Sequence, residues 1–596
     1  MTTVGPRRTR TILTVAVSGA LALLVGVLAA GSASAAKPKP PVVKGGSQVE
    51  VQILALNDFH GNLLPPTGSG GRVGTTPAGG AAYLATHIQS LEATNANSIV
   101  VSAGDLIGAS PILSALFHDE PTIEAMNEIG LDLNAVGNHE FDEGATELLR
   151  MANGGCHPVD GCQDGTGFEG AEFDFLAANV VNIATGETLF APYAIRSFNG
   201  AKVGFIGMTL EGTPLIVSQA GIQGLDFRDE ADTVNALVPV LREQGVQAIV
   251  VLLHEGGSPT ALNINGCTGV AGPIVDIVDN LDSEVDLVVS GHTHQPYNCV
   301  FNGIPTTSAF SFGRLVTDID MTIDRATQDV TKLMINNRIV TRDVPQYQPI
   351  LDLIAHYDVV AAPIANRPIG HITADLTNVN QPDGEQTMGD VIADAQLAAT
   401  DGPAPEGQAV VAFMNPGGVR GSLTFASSPA GEGDGVVTFG EAFTVQPFGN
   451  ILQTLTLTGA QIDRMLEEQF CGVNSPFATP TAGFFKILLP SAGFSYTWDF
   501  AVANSPANAT CATDPALGAV NPASISLNGI PIDLGTSYRV TVNNFLADGG
   551  DGFFVLRQGT DRVGGLEDLQ ALEAYLAAAE PAGISPPPLT RITRIN

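Results

Sequence analysis

Residues 49–60 read VEVQILALNDFH, an apolar-rich run of eight residues followed at once by Asn57, Asp58, Phe59 and His60. A short apolar run whose polar residues gather at its carboxyl end reads as a buried strand of an α/β sheet, opening on a crevice. The same arrangement recurs at NSIVVSAGD (97–105), LDLNAVGNHEFD (131–142), QAIVVLLHE (247–255) and VDLVVSGHTH (285–294), and a sixth run, AKVGFIG, occupies 201–207. Amphipathic stretches separate the runs. That alternation predicts α/β layers from about Val49 to Val344 rather than an all-β domain.

The carboxyl ends of strands in such a fold face one edge, so residues far apart in sequence can converge there. Among the residues at these ends are carboxylates, histidines and an amide suited to binding: Asp58, His60, Asp105, Asn138, His139, Asp142, His254, His292 and His294. Two divalent ions about 4 Å apart, bridged by a carboxylate, can clamp a phosphoryl group and activate water, and that chemistry asks for such a set. Imidazole mixed with carboxylate suits Zn²⁺, Mn²⁺ or Co²⁺ better than Mg²⁺ or Ca²⁺. Taken singly, an Asp-x-His or Gly-Asp at a strand end is usually a cap or a turn. Five in order, each after an apolar run, point to metal binding. The other five histidines, His87, His118, His157, His356 and His371, lie outside these runs and receive no role.

Beyond this region, 345–368 (PQYQPILDLIAHYDVVAAPIANRP) carries helical spacing between bounding prolines and reads as a linker helix. From 369 to 596 the signals are mixed: helices in GDVIADAQLAAT and AQIDRMLEEQF, strands in VVAFM and LQTLTLTG. A chain of 596 residues is too long for one core, and two domains are expected. Its 26 basic and 61 acidic residues give a formal net charge of −35, a surface that repels nucleic acid polymers. A phosphate ester would therefore meet positive potential only where ions or placed arginines supply it.

At the amino end Arg7, Arg8 and Arg10 precede an apolar run from Thr11 to about Ala30, with small residues through Ala36. This reads as a signal peptide over 1–35, cleaved after Ala35, then a flexible tether over 36–48. An uncleaved anchor is the alternative. The reading implies a secreted, extracellular or periplasmic protein with no membrane association after cleavage. Six cysteines in such a chain suggest disulfides. Their order allows Cys156 with Cys162, Cys267 with Cys299 and Cys471 with Cys511, although connectivity does not follow from sequence.

The ordered motifs D-x-H, GD, GNHEFD, a lone His after a strand and GHTH resemble the calcineurin-like metallophosphoesterases. With the C-terminal motifs NPGGVR (415–420), QPFGN (446–450) and NFLADGGDGF (544–553), nearly the whole mature chain resembles the 5′-nucleotidase and UDP-sugar hydrolase family. The resemblance implies a four-layer α/β/β/α metallophosphoesterase domain over 49–344, followed by a mixed α+β substrate-binding domain over 369–596. It implies one metal held by Asp58, His60, Asp105 and His294, and a second held by Asp105, Asn138, His254 and His292. His139 would contact the reacting phosphate, with Asp142 orienting its ring. Phe448 and Phe545 would stack a base, Asp551 would hold ribose, and Asn415 and Arg420 the polar end. The implied reaction is attack of metal-activated water on a small nucleotide or related phosphate ester, with domain rotation gating the site.

One departure stands out. The family's additional phosphate-binding arginine, a few residues before a Met-Gly pair, has no counterpart here, because Pro382 to Thr387 before Met388-Gly389 holds no basic residue. That keeps 2′,3′-cyclic nucleotide phosphodiesterase and nucleotide-sugar pyrophosphatase as alternatives to 5′-nucleotidase. An exported binding or adhesion protein with structural metals is the alternative of another class, and a sulfur-chemistry relative a further one. Sequence leaves the oligomeric state open.

Overall fold

All six apolar runs are strands in the computed structural model, and they divide between two six-stranded sheets. The model describes residues 46–66, 68–217, 221–402, 408–428, 430–477, 485–512 and 517–596. The proposed signal peptide and most of the tether lie outside these residues. The first sheet runs in the order Val330–Ile339, Leu315–Asp324, Gln48–Leu56, Ser98–Ser102, Leu133–Ala135, Asp174–Leu176, with the last four strands parallel. The second runs Pro296–Phe301, Ile304–Ala309, Leu287–Ser290, Ala248–Leu253, Ala201–Met208, Tyr193–Phe198, with its four inner strands parallel.

The sheets face each other through Val51, Ile53, Val101, Phe205, Val250 and Val289. On the outer face of the first sheet pack helices Ala81–Glu92, Glu120–Ile129 and Gln348–Ala365, whose Leu84, Ile88, Ile123 and Tyr357 share one core. Helices Glu230–Glu243 and Pro273–Asp279 cover the second sheet with Val234, Val238 and Ile274. The layers are α/β/β/α, as the motifs imply. The runs are largely apolar because the strands are covered on one face by the other sheet and on the other by helices.

One hairpin escaped the list of apolar runs. Leu315–Asp324 and Val330–Ile339 pair antiparallel to each other, and the first of them pairs antiparallel to Gln48–Leu56. Their sequences alternate polar and apolar residues, as strands nearer a sheet edge do.

Residues from Pro368 onward build a five-stranded sheet in the order Leu489–Pro490, Val411–Met414, Ser537–Asn543, Ile451–Thr458, Thr560–Glu567, and a smaller four-stranded sheet. Thr387–Ala398, Gly459–Glu468 and Asp568–Ala578 are its longer helices. Thr458 opens the second of these with a capping box, its hydroxyl accepting from Gln461 N. The helix Gln348–Ala365 contacts Glu120–Ile129 on one side and Phe439–Val445 on the other, so it touches both halves. Three disulfides form: Cys156–Cys162, Cys267–Cys299 and Cys471–Cys511. Among the described residues no helix is long and apolar enough to cross a membrane.

Candidate metal centre

Each of the five motifs lies just past a strand end, and in three of them the backbone leaves ordinary conformations. Asp58, His60, Asp105, His292 and His294 have φ of 50°, 46°, 53°, 68° and 52°. Left-handed backbone costs a non-glycine residue about 1–3 kcal/mol and is kept only where surroundings enforce it; such outliers gather at functional sites. Glycine makes the crowding possible. A Cβ on Gly104 would meet His254 Nδ1 at 2.6 Å, and one on Gly137 would meet Asp105 Oδ1 at 2.2 Å.

The result is two overlapping clusters. In the first, His294 Nε2 lies 3.0 Å from His60 Nε2 and 3.4 Å from Asp58 Oδ1, and His60 Nε2 lies 3.7 Å from Asp105 Oδ2. In the second, His254 Nε2 is 2.9 Å from Asp105 Oδ2, while Asn138 Oδ1 is 3.1 Å from His254 Nε2 and 2.9 Å from His292 Nδ1. Donor atoms bound at roughly 2.0–2.1 Å around a tetrahedral ion sit about 3.3 Å apart, so both clusters have the chemistry and spacing to hold one divalent ion each. Asp105 reaches into both.

The remaining ring nitrogens are fixed from behind. His60 Nδ1 faces the carbonyl of Gly108 at 2.8 Å, and His254 Nδ1 that of Ala103 at 2.7 Å, leaving Nε2 to face inward in each case. Burial holds His60 well below its ordinary value, and burial together with the charge of His254 lowers His292 to about 3, so both rings are neutral, the ligand form. Burial also acts downward on His254, but the carboxylates of Asp105 and Asp58 hold it up at about 10. That proton neutralises Asp105, and a bound cation would displace it.

His139 begins a short 3₁₀ turn, His139–Phe141, and its ring lies beside His60 and Asp105, its centroid 5.0 Å from that of His60. Its amide donates to Asp105 Oδ1 at 2.9 Å, and its ring Nδ1 meets Asp142 Oδ2 at 2.8 Å, the three-residue contact the motif implies. Burial opposes the imidazolium, yet Asp142 and Asp105 outweigh it and raise His139 above its ordinary value. Glu140, given no role from the sequence, accepts from the amides of Asp105, Leu106 and Gly137 at 2.9, 2.9 and 2.7 Å. It ties the second and third motifs together. Asn57, likewise unassigned, accepts from Ala309 N and donates to Asp58 and to the carbonyl of Phe310. Glu140 lies inside the quoted GNHEFD, but its partners depend on how two loops wrap, which no spacing announces.

The C-terminal half reaches this centre through Phe448. Its ring stacks on His139 with centroids 5.8 Å apart and planes 12° apart, and the Arg420 guanidinium lies 5.6 Å from the Phe448 centroid. Burial lowers Arg420, while the charges of Asp142, Asp105, Asp58 and Asp551 act in the opposite sense. Asn415 donates to Asp551 Oδ2 at 2.9 Å, and Lys486 Nζ lies 3.3 Å from Asp551 Oδ1. Phe545 lies against Gly550, where a Cβ would meet its ring at 2.4 Å, and against the core of its own half. Phe448 thus turns toward the metal centre and Phe545 toward the Asp551 loop. Lys486 had no signal in the sequence.

Residues 51–296 match the calcineurin-like phosphoesterase family, and residues 368–558 match the 5′-nucleotidase C-terminal domain. The chain is 32% identical over 540 residues to the protein named endonuclease YhcR of Bacillus subtilis (strain 168), covering 89% of this chain and 40% of that protein. It is 32% identical over 541 residues to the cell wall protein Lmo0130 of Listeria monocytogenes, covering 86% of this chain and 64% of that protein. It therefore spans less than two thirds of either relative's length. Among solved structures it is similar to a 5′-nucleotidase precursor from Thermus thermophilus, with a TM-score of 0.71 and 25% identity over 92% of this chain and 100% of that one.

Proposed function

Because the chain belongs to the calcineurin-like metallophosphoesterases that carry a 5′-nucleotidase C-terminal domain, we propose that it is an exported phosphoesterase that releases phosphate from nucleotides at a two-metal centre. The observation that carries the reading is the pair of clusters sharing Asp105, with His139 between them and the Phe448 ring. Asp58, His60, Asp105 and His294 hold one ion, and Asp105, Asn138, His254 and His292 the other. Zn²⁺, Mn²⁺ or Co²⁺ fits this donor set and supplies Lewis acidity and an acidified water when bound.

The chain's own groups do the rest. His139, its Nδ1 held by Asp142, presents Nε2 to an oxygen of the reacting phosphate and stabilises charge building there. Arg420 offers the same phosphate a planar fork of donors. Phe448 and Phe545 supply faces for a flat base, and Asp551 with Asn415 supplies acceptor and donor groups for a sugar. The N-terminal run of apolar and small residues supports export, which amino-terminal sequencing of the mature protein tests.

A specific observation favours a second substrate class. Where the family carries an extra arginine, this chain places Glu385, which accepts from Arg591 N and Ile592 N, and Gln386, which donates to Asn380. With one cation fewer for a terminal phosphate, 2′,3′-cyclic nucleotides and nucleotide sugars compete with nucleoside 5′-monophosphates. The Bacillus relative is named an endonuclease, which adds a nucleic acid strand to the panel, although a net charge of −35 weighs against a polyanion.

The test is product analysis with AMP, UDP-glucose, 2′,3′-cyclic AMP, glycerophosphate and single-stranded DNA, reading free phosphate from the monoesters, nucleotide and sugar phosphate from UDP-glucose, nucleotide from the cyclic ester and shortened strands from DNA, with Mn²⁺ or Zn²⁺ present and His139→Ala as control. Turnover of AMP that collapses in the variant supports the reading. Turnover of none, by protein carrying two ions, would replace it with the metal-bearing binding protein.

A further inference from the structure

Two of the five histidines outside the strand-end motifs come together on the outer side of the metallophosphoesterase half. The rings of His118 and His157 stack with centroids 3.8 Å apart and planes 19° apart. Both point a nitrogen at the same carboxylate oxygen: His118 Nε2 lies 3.0 Å and His157 Nδ1 3.2 Å from Asp160 Oδ2. The far nitrogen of His118, Nδ1, is held by Glu143 Oε2 at 2.7 Å. His118 and His157 are only 17% and 15% exposed, so the pair is largely withdrawn from water, while Asp160 and Glu143 sit at the rim.

We propose that His118, His157 and Asp160 form a further binding site for one divalent transition metal ion of the zinc class, separate from the two-metal centre. Two features carry the inference. The donor set of two imidazoles and a carboxylate is one such ions select, and the 3.0 and 3.2 Å separations approach the roughly 3.3 Å edge of a tetrahedral shell. His118 already has the carboxylate partner behind it that metal-bound histidines take, here Glu143, which fixes Nε2 as the inward nitrogen. The backbone amide of Asp160 donates to His157 Nδ1 at 3.1 Å, a hydrogen bond that the ion would displace as it takes that lone pair.

The loop is preorganised. The Cys156–Cys162 disulfide closes the segment that carries His157 and Asp160, and a bridge between His157 and Gly161 tightens it further. The nearly parallel rings must splay for both lone pairs to meet at one ion, a movement that the short closed loop carrying His157 can absorb. Burial opposes charge on His118, yet Glu143 and Asp160 hold it at about 9, so in metal-free protein a proton occupies the place the cation would take. Three protein donors leave a position open for water.

The consequence is a clamp beside the first centre. Glu143 follows Asp142, which orients His139. His118 precedes Asp119, whose Oδ2 accepts from Gly108 N, and the Gly108 carbonyl faces His60 Nδ1. An ion here would fasten the disulfide loop to the two segments that back His60 and His139.

The test uses the full chain. Metal-stripped protein is loaded with Zn²⁺ or with Co²⁺, desalted, and its bound metal counted. His157→Ala and Asp160→Asn are expected to bind one ion fewer than the parent, and His87→Ala the same number as the parent. A difference of one does not depend on how many ions the first centre holds, so failure of the two-metal reading leaves it legible. A zinc-soaked crystal of the parent is expected to show an anomalous peak between His118, His157 and Asp160. Equal counts in the parent and both folded variants, or no peak at that place, overturns the proposal.

Discussion

The strand-end loops of the first half and the ligand-facing loops of the second differ in how firmly they are held. Asp58, His60, Asp105, Asn138 and His254 are buried, and each has its polar atoms engaged by a strand end or a neighbouring loop. Arg420, Phe448 and Phe545 are half-buried, and the direct hydrogen bond of Arg420 to the carbonyl of Gly417 is long, at 3.4 Å. An ion tolerates little misplacement of its ligands, whereas a base and sugar are gripped by surfaces that can close on them. The first half spends strain and buried hydrogen bonds on position throughout; the second does so at Asn415 and Asp551 and leaves Arg420 and the two rings free for the substrate.

That contrast ranks the variants. Asp105→Asn strikes both clusters at once, and phosphate release should fall by on the order of 10³-fold or more, with bound metal falling too. Retention of both ions and of activity would show that Asp105 does not bridge. His139→Ala removes the group facing the phosphate and leaves all seven proposed ligands. Its kcat should drop by about 10²- to 10⁴-fold at unchanged metal content, and a parallel loss of metal would move His139 from the chemistry to the scaffold. Phe448→Ala tests the looser half. If the ring stacks a base, kcat/KM for AMP should fall by about 10- to 100-fold, from a contact worth about 1–3 kcal/mol, while glycerophosphate hydrolysis stays within about twofold. An equal loss on both substrates would instead assign the ring to shielding His139.

The same contrast explains what could be read from the sequence. Strands covered on both faces leave apolar runs, and polar residues gathered at their ends leave short signatures, so the α/β layering and the convergence of the residues from Asp58 to His294 were legible. Glu140 was visible but mute: its role lies in three amides from two loops. The hairpin from Leu315 to Ile339 alternates polarity and matched no apolar run. Lys486 against Asp551, and His118 against His157, are meetings of loop residues separated by dozens of positions, and only the packing of whole elements brings them together. Phe448 and Phe545 were legible as motif members, but not the direction each ring takes.

Buried acids sharpen the comparison at its smallest scale. Among the described residues, Asp390 has neither carboxylate oxygen hydrogen-bonded and Asp463 lacks a partner for Oδ1, and both belong to the second half. Asp105 and Asp463 are equally withdrawn from water, at 1% and 2% exposed, yet move in opposite directions. Burial acts upward on both. At Asp105, His254 and His139 reverse it and hold the carboxylate well below its usual value; at Asp463 nothing opposes burial, and the acid rises from 3.8 to about 6. A carboxyl raised in the folded state contributes stability that is full below its unfolded value and is lost as pH climbs through the folded one, here between about pH 4 and pH 6. Asp463→Asn keeps the shape without the charge. It should therefore be more stable than the parent at pH 8, by about 1–2 kcal/mol once relaxation around the charge has reduced the ceiling of about 3 kcal/mol that a two-unit shift allows, and no more stable at pH 4. Denaturant midpoints of parent and variant at the two pH values check this. A gap that stays the same at both would mean that Asp463 is already solvated.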